Sequence, residues 1–531
     1  VISFRGYVRR KSFRENTKYY STFREQEMQN LGKPNEDPSS GIKPDEWMSH
    51  FQSLLTESYD VPTNKIDELG RLENEPSFTE LDSRITVSEI EKAIQKLNKK
   101  AAPGPDNITA EHMIAGKSAL MPLFVLIFNK VFTNAEYPQL WTNNYLKPIF
   151  KKGDSSDPQN YRGIAIGSVM GKIFSLILLE RLEKRVTNTY PISENQIGFK
   201  KGHRTADHIL VINTIVSKIV KVARKKLFCA FIDFQKAYDK INRNLLLLKL
   251  QRIDICGLFY KNIKAIYNSV SYQVKIHNGI LDPILSSLGL KQGGILSSTL
   301  FNIYVDDMKD IFDETCDPIT VLGTPLSHLL FADDLLLMSL TEAGLNSCLA
   351  KLERYCKEWQ IQVNIKKSKI VIFNPSGRIL PGHRFVYEGK TMEIVRSYCY
   401  LGVEITSSGS LSFARACLRD KGNKAMFSLF STISKFRLSC AKSIHLFNSI
   451  IKPIVLYNSE NWATLTTHQI SSLMQNKTSL FSYSTASEAS KVRLRFLKYM
   501  LGLKRNCCSF RGGWRIATIY SRTLVLTKIL A

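Results

Sequence analysis

His328-Leu-Leu-Phe-Ala-Asp-Asp-Leu-Leu-Leu-Met338 sets two adjacent carboxylates, Asp333 and Asp334, between two apolar runs. Each run has the length of a short buried strand, and the acid pair falls where a hairpin joining them would turn. Burying a carboxylate is costly unless a cation pairs with it. Acids at a hairpin tip in so apolar a setting therefore point to a metal. A solvent-exposed Asp-Asp turn between two core strands explains the same letters equally well.

A second acid separates these readings. Leu227-Phe-Cys-Ala-Phe-Ile-Asp233 is again an apolar run, closed by one carboxylate. Mg2+ is a hard dication that takes few carboxylate oxygens and completes its shell with substrate phosphates. Two such ions, about 3.5–4 Å apart, clamp the attacking and leaving oxygens of an in-line displacement. Carboxylates from two neighbouring strands supply ligands for that arrangement.

The bulk composition agrees with a phosphate-bearing partner. Over 531 residues, 73 Lys+Arg stand against 47 Asp+Glu, a net charge of +26. Cations set on phosphates release counterions, so nucleic acid is the simplest partner for such an excess. From Leu411 to Ala531 there are 19 Lys+Arg and only three acids, Asp420, Glu460 and Glu488. With 44% apolar and 23% charged residues the chain is globular rather than disordered. No apolar run is long enough to span a membrane, and no secretion signal follows the basic start Val1–Lys11. The expected location is intracellular, in cytoplasm or nucleus. Ten scattered cysteines contain no CxxC; the Cys507-Cys508 pair has no second Cys/His pair near it, so these read as reduced thiols rather than zinc ligands. The chain opens on Val1, not Met, and is expected to be a piece of a longer protein.

Local patterns set the organisation. Residues 33–45 are rich in Pro, Gly, Ser and acids and read as a linker. Trp47, Phe51, Leu54 and Leu55 are spaced as one face of a short helix. Thr86 and Glu89 form a capping box ahead of Ile90, Ile94 and Leu97, and Pro103-Gly104 stops that helix. Strand-like runs alternate with helical ones from about Trp141 to Asn374, an α+β or α/β pattern. Short strands with a turn at Glu388-Gly389-Lys390 follow, and then a mostly helical, basic region.

Phe331-Ala-Asp333-Asp334 resembles the YADD or FADD motif of reverse transcriptases, and Phe231-Ile-Asp233-Phe-Gln-Lys-Ala237-Tyr238-Asp239 resembles their F-x-D-x-x-x-A-F/Y-D. Gln196-Ile-Gly198-Phe199-Lys-Lys-Gly202-His-Arg204-Thr205-Ala-Asp207-His208 is similar to Q-x-G-F-R-x-G-x-S-T-x-D-H, a long match. Gly289-Leu-Lys-Gln292-Gly293-Gly294-Ile-Leu-Ser297 resembles G-x-x-Q-G-x-x-L-S, and Asn364-Ile-Lys-Lys367-Ser-Lys369 resembles N-x-x-K-T-K. Tyr457-Asn-Ser-Glu460-Asn-Trp462 and Phe496 to Gly502 are similar to thumb and later segments of LINE-type, non-LTR retrotransposons. The resemblance covers about Thr86 to Gly502.

The resemblance implies an α+β right-hand polymerase: fingers, a palm with an antiparallel sheet, a thumb, and a mostly helical basic C-terminal region. Its divisions are expected at 1–85 (linker or extension), 86–375 (fingers and palm), 376–410 (primer-grip region) and 411–531 (thumb and a C-terminal region, truncated). It implies that Asp233, Asp333 and Asp334 bind two Mg2+ ions, with Mn2+ as the substitute. Lys367 is implied as the acid that protonates pyrophosphate. Arg162 is implied on the triphosphate, Tyr238 under the incoming sugar as a bar to a 2′-hydroxyl, and Gln292 and Gly293 beside the nucleotide or template. Tyr400, Leu401 and Gly402 are implied to grip the primer end. The basic residues of 196–208 are implied along the template path; His208 itself reads as a hydrogen-bonded helix residue.

Two departures stand out. Gly163 replaces the usual Pro of Y-R-P-I, which suggests a looser turn. Gly294-Ile295 replaces Cys-Pro, which suggests a more flexible loop. Asp306-Asp307 repeats the paired letters but reads as helix surface, and Asp239 as structural. The implied function is RNA-directed DNA synthesis from dNTPs on an RNA template with a DNA primer or target, with no membrane partner and an undetermined oligomeric state. A catalytically inactive, nucleic-acid-binding remnant of a retrotransposon is the alternative of another class. A group II intron maturase shares the core motifs, but the basic tail and the Tyr457–Trp462 segment fit LINE-type elements better.

Overall fold

The computed structural model describes residues 41–56, 62–72, 80–277, 279–321, 323–462 and the single positions 492 and 496. The basic start, the Cys507-Cys508 pair and most of the region after Trp462 lie outside the described residues. The linker expected over 33–45 is described only from 41, and the helix Pro44–Thr56 already begins inside it. The chain forms two compact units, each assembled from several stretches. One takes the described parts of 1–199, 234–309 and 354–362; the other takes 200–233, 310–353 and the described residues from 363 onward.

In the first unit a four-stranded sheet runs in the order Tyr161–Gly167, Asn143–Phe150, Ser271–Ile276, Gly279–Leu285. The helix Pro44–Thr56 buries Trp47, Phe51, Leu54 and Leu55, the face that their spacing defines. Trp47 meets Tyr161 edge-on, with ring centroids 4.9 Å apart. The capping box forms at the start of Val87–Gln95, with Ile90 and Ile94 buried. Its Glu89 also receives Arg181 Nε at 2.7 Å, which ties the cap to the long helix Val169–Thr189. Gly163 lies within a strand, opposite Pro148, and not in a turn. A Cβ there would come within 2.8 Å of Leu146 and 2.9 Å of Phe51. Glycine at 163 thus serves close packing, and the looser turn expected from the sequence is replaced by a tight one-sided contact.

In the second unit the sheet order is Lys369–Phe373, Leu227–Asp233, Asp334–Ser339, His328–Phe331, with every neighbouring pair antiparallel. The Leu227–Asp233 strand is buried from Leu227 to Ile232, so both of its faces are covered. One face packs on Ile209, Ile212 and Val216 of the helix Thr205–Val216 and on Tyr400, Val403 and Ile405. The turn expected at Glu388-Gly389 closes a small hairpin, with φ +49 and +71 at those residues. Beyond it, Ser412–Phe436 and the helical segments to Trp462 form a separate apolar cluster around Met426, Ile433, Phe447 and Ile451. Among the described residues no helix is long and apolar enough to cross a membrane.

Candidate active site

Strand alternation brings the acids together. Leu227, Cys229, Phe231 and Asp233 share one face of their strand. Asp233 stands directly opposite Asp334, and Phe231 opposite Leu336, so both carboxylates emerge on the face of the Phe231 core. In the hairpin, Phe331 pairs with Asp334, which leaves Ala332 and Asp333 as a two-residue loop. Ala332 has φ +54, a left-handed conformation that L residues avoid. Apolar strands thus deliver three carboxylates to one end of one sheet. The protein packed around Asp334, and then the charges of Asp333 and Asp233, push its carboxyl up to about 6.

The segment after the sheet fixes Asp233. Asn364 N–H donates to the Asp233 carbonyl at 2.8 Å, and Asp233 N–H donates to Ser368 Oγ at 3.0 Å. Lys367, between those anchors, holds Nζ 3.9 Å from Asp233 Oδ2. Ser368 is fully buried. Its role was not legible in the sequence, because nothing local to 368 announces a partner 135 residues earlier.

Tyr400 pairs with Val403, so Leu401 and Gly402 form the turn of a hairpin, with φ +44 and +80. Two consecutive positive φ values define a type I′ turn. The hairpin covers the acids' face of the sheet: Tyr398 stacks on Phe231 at 4.6 Å and Tyr400 lies 5.3 Å from it. Burial, and then the charges of Asp334 and Asp233, push the Tyr398 phenol up to about 12. Tyr398 is a neighbour of the acids that the motif reading passed over. His208 is buried, 3.4 Å from the Tyr400 hydroxyl and edge-on to Phe331. Burial lowers its pKa to about 4, so it is a neutral packing residue.

The first unit holds the other expected site residues. Tyr238 is half-buried and stacks on Phe301, with centroids 4.5 Å apart. Gln292 Nε2 donates to Asp239 Oδ2 at 2.9 Å. Gln292 Oε1 is buried without a hydrogen-bond partner among the described residues. Arg162 is exposed on its strand, and its charge reaches Asp239. Burial nonetheless raises Asp239 to about 6. Gly289 and Gly293 have φ +77 and +91. Arg243, buried and unremarked in the sequence, donates to the carbonyls of Gly289, Tyr267, Ser286 and Leu288 and so clamps the approach to Gln292.

Two expectations need correction here. Gly294 does not loosen its loop: a Cβ would lie 2.6 Å from Ser297 Oγ, and Ser297 Oγ donates to the Lys291 carbonyl at 2.6 Å. Asp306 and Asp307 are not helix-surface acids. Asp306 is buried and accepts from Ser193 N–H at 2.7 Å and from Lys309 at 2.8 Å. Asp307 pairs with buried Lys249, whose ammonium also lies 3.4 Å over the Trp359 ring. Both carboxylates pair with cations that the local sequence does not reveal.

The donor set suits a hard dication: three carboxylates on one sheet end, beside a face closed by aromatic rings. Among the described residues no group of three or more His, Cys, Asp or Glu side chains that could hold a metal ion is found. Mg2+ in phosphoryl chemistry does not require one, since one or two carboxylates with water and substrate phosphates suffice.

An acid-bearing antiparallel sheet flanked by helices is the mixed α and β arrangement that the motifs lead one to expect. More particularly, residues 149–405 match the family described as reverse transcriptase (RNA-dependent DNA polymerase). Over 331 residues it is 26% identical to the probable RNA-directed DNA polymerase from transposon BS of Drosophila melanogaster, covering 60% of this chain and 35% of that one. Over 391 residues it is 25% identical to the RNA-directed DNA polymerase from mobile element jockey of the same fly, covering 71% and 41%. A retrovirus-related Pol polyprotein from type-1 retrotransposable element R2 of Popillia japonica is 27% identical over 297 residues, covering 56% and 40%. The chain thus spans about two fifths or less of the length of these relatives. Its homologues are RNA-directed DNA polymerases of non-LTR retrotransposons, as its motifs imply. Members of this family act on nucleic-acid templates and use divalent metal ions.

Proposed function

We propose that this chain copies retroelement RNA into DNA, extending a DNA primer with dNTPs in the presence of two Mg2+ ions. The observation that carries the reading is the register Asp233 opposite Asp334, with Asp333 in the adjoining two-residue turn. Asp233, Asp333 and Asp334 would hold the ions, which when bound acidify the primer hydroxyl and offset charge on the departing pyrophosphate. The chain's own groups do the remainder. Ser368 and Asn364 hold the Asp233 backbone still while the carboxylate binds. Lys367 lies near enough to Asp233 to be oriented by it, and its ammonium supplies the proton to pyrophosphate. The Tyr238 ring, backed by Phe301, closes the space below the sugar C2′ and disfavours ribonucleotides. Arg162 offers a planar guanidinium to the triphosphate. Gln292 and Gly293 contact the nascent pair, and Tyr400, Leu401 and Gly402 hold the primer terminus.

Purified chain incubated with an RNA template, a DNA primer, dNTPs and Mg2+ should extend the primer. Asp333→Asn should abolish that extension without abolishing primer–template binding. Binding with no extension in the unaltered chain would instead support the inactive remnant.

A further inference from the structure

Tyr457-Asn-Ser-Glu460-Asn-Trp462 lies in the same compact unit as the acids and as Tyr400-Leu401-Gly402. Its contacts converge on two places. At the first, the Tyr457 hydroxyl donates to the Leu401 carbonyl at 3.0 Å. Its ring lies against Gly402, where an added Cβ would be 3.0 Å from Cε1. The second place is the start of the helix Thr205–Val216. Tyr457 Oη is 3.0 Å from Thr205 Oγ1, Asn461 Nδ2 donates to the Ala206 carbonyl at 2.9 Å, and Glu460 lies 3.5 Å from the Arg204 guanidinium.

Proton counting gives these contacts a direction. A carbonyl only accepts, and a phenol carries one proton. Tyr457 therefore donates to Leu401, and Thr205 donates to Tyr457. The result is a relay of two hydrogen bonds from the 204–206 motif to the hairpin turn. The turn needs such support. Type I′ turns favour Asn, Asp or Gly at both central positions, yet the first here is Leu401, held at φ +44. The carbonyl that Tyr457 grips belongs to that strained residue.

We propose that Tyr457 is a positioning residue that braces the primer-grip turn against the start of the Thr205–Val216 helix, and so fixes where the primer's 3′ end sits. This rests on the reading of Tyr400, Leu401 and Gly402 as the primer grip. The phenol touches neither substrate nor cation; it acts through the Leu401 backbone.

Tyr457→Phe tests it in the full chain, because the ring stays against Gly402 and only the hydroxyl goes. One lost orienting hydrogen bond corresponds to about a 3–10-fold effect. The apparent KM for primer–template should rise by that factor, with the KM for dNTP and the Tm unchanged. A 2-aminopurine at the primer's 3′ nucleotide, which needs no turnover, should show a changed fluorescence in the bound state. Thr205→Val added to Tyr457→Phe should add nothing more. Unchanged primer KM and unchanged 2-aminopurine signal overturn the proposal. So does a parallel rise of both KM values with a lowered Tm, the mark of a merely structural role. Gly402→Ala disturbs the turn without removing the phenol. If it impairs primer use while Tyr457→Phe does not, the brace fails and the grip stands. If neither variant alters the signal at the primer terminus, the grip reading fails as well.

Discussion

Gly289→Ala is expected to cost much more than Gly293→Ala, although both glycines have positive φ and both belong to the loop bearing Gln292. At Gly289 φ is +77, and a Cβ would lie 2.4 Å from the Asp239 carbonyl oxygen and 2.8 Å from its carbon. These are backbone atoms, so no rotamer change relieves the overlap. The chain at 289–290 must draw back from 238–241, against two 2.8 Å hydrogen bonds, Gly289 N–H to the Ile241 carbonyl and Leu290 N–H to that of Tyr238. Left-handed backbone alone costs an alanine about 1 kcal/mol. Overpacking adds roughly 1–3 kcal/mol, and the strained hydrogen bonds about 1 kcal/mol more. The sum, about 3–5 kcal/mol, is a large part of a typical folding stability of about 5–15 kcal/mol. At Gly293 φ is +91, but the nearest atoms would be 3.4 Å away. Only the conformational cost applies there, about 1 kcal/mol. Urea unfolding of the two variants reads the difference. Gly289→Ala should also raise the KM for dNTP, since Gln292 and Tyr238 flank the disturbed contact. Equal losses for the two variants, or a loss below about 1 kcal/mol for Gly289→Ala, would refute the steric argument.

Other outcomes follow from the same geometry. The Asp239 carboxyl titrates at about 6 in the folded chain against an ordinary 3.8. The folded state therefore holds its proton more tightly, and the stability linked to this group is present at acid pH and is lost as pH rises from about 4 to 6. Asp239→Asn should flatten that slope and gain about 1–2 kcal/mol at pH 7, allowing for water at its partly exposed edge; urea midpoints across that range check it. Ala332→Gly relieves the left-handed residue of the acid hairpin and should raise stability by about 1 kcal/mol in the same assay, while lowering kcat if the strain holds Asp333 in place. Ser368→Ala should lower kcat more than Ser368→Thr does, because only the threonine retains an acceptor for Asp233 N–H; single-turnover extension distinguishes them. Tyr238→Val should increase ribonucleotide incorporation relative to dNTP, measured by alkali-sensitive product.

Much of the site was legible because its signals are local. An apolar run closed by Asp233, an acid pair between apolar runs, the Thr86–Glu89 box and the Trp47–Leu55 face all depend on strand or helix periodicity within a few residues. What escaped depends on distant partners. Asp306-Asp307 carries the same letters as Asp333-Asp334 and is just as firmly held, but by Lys249, Lys309 and the Ser193 backbone rather than at a hairpin turn. Gly163 and Gly294 looked like loosened turns because family prolines were missing. Their reason is steric, set by Phe51 and Leu146 in one case and Ser297 in the other. Arg243, Ser368 and Tyr398 carry no motif at all, and only the folded chain shows what they touch.

The central claim is that the acid closing the Leu227–Asp233 strand and the pair at the later turn bind the same cations. Replacing Mg2+ with Fe2+ and adding ascorbate in the presence of primer–template and dNTP generates radicals that cut backbone beside the bound metal. The account predicts paired cleavage, near 233 and near 333–334, lost together when Mg2+ competes and when Asp333 becomes Asn. Cleavage at one of these places without the other, or at neither, would contradict it.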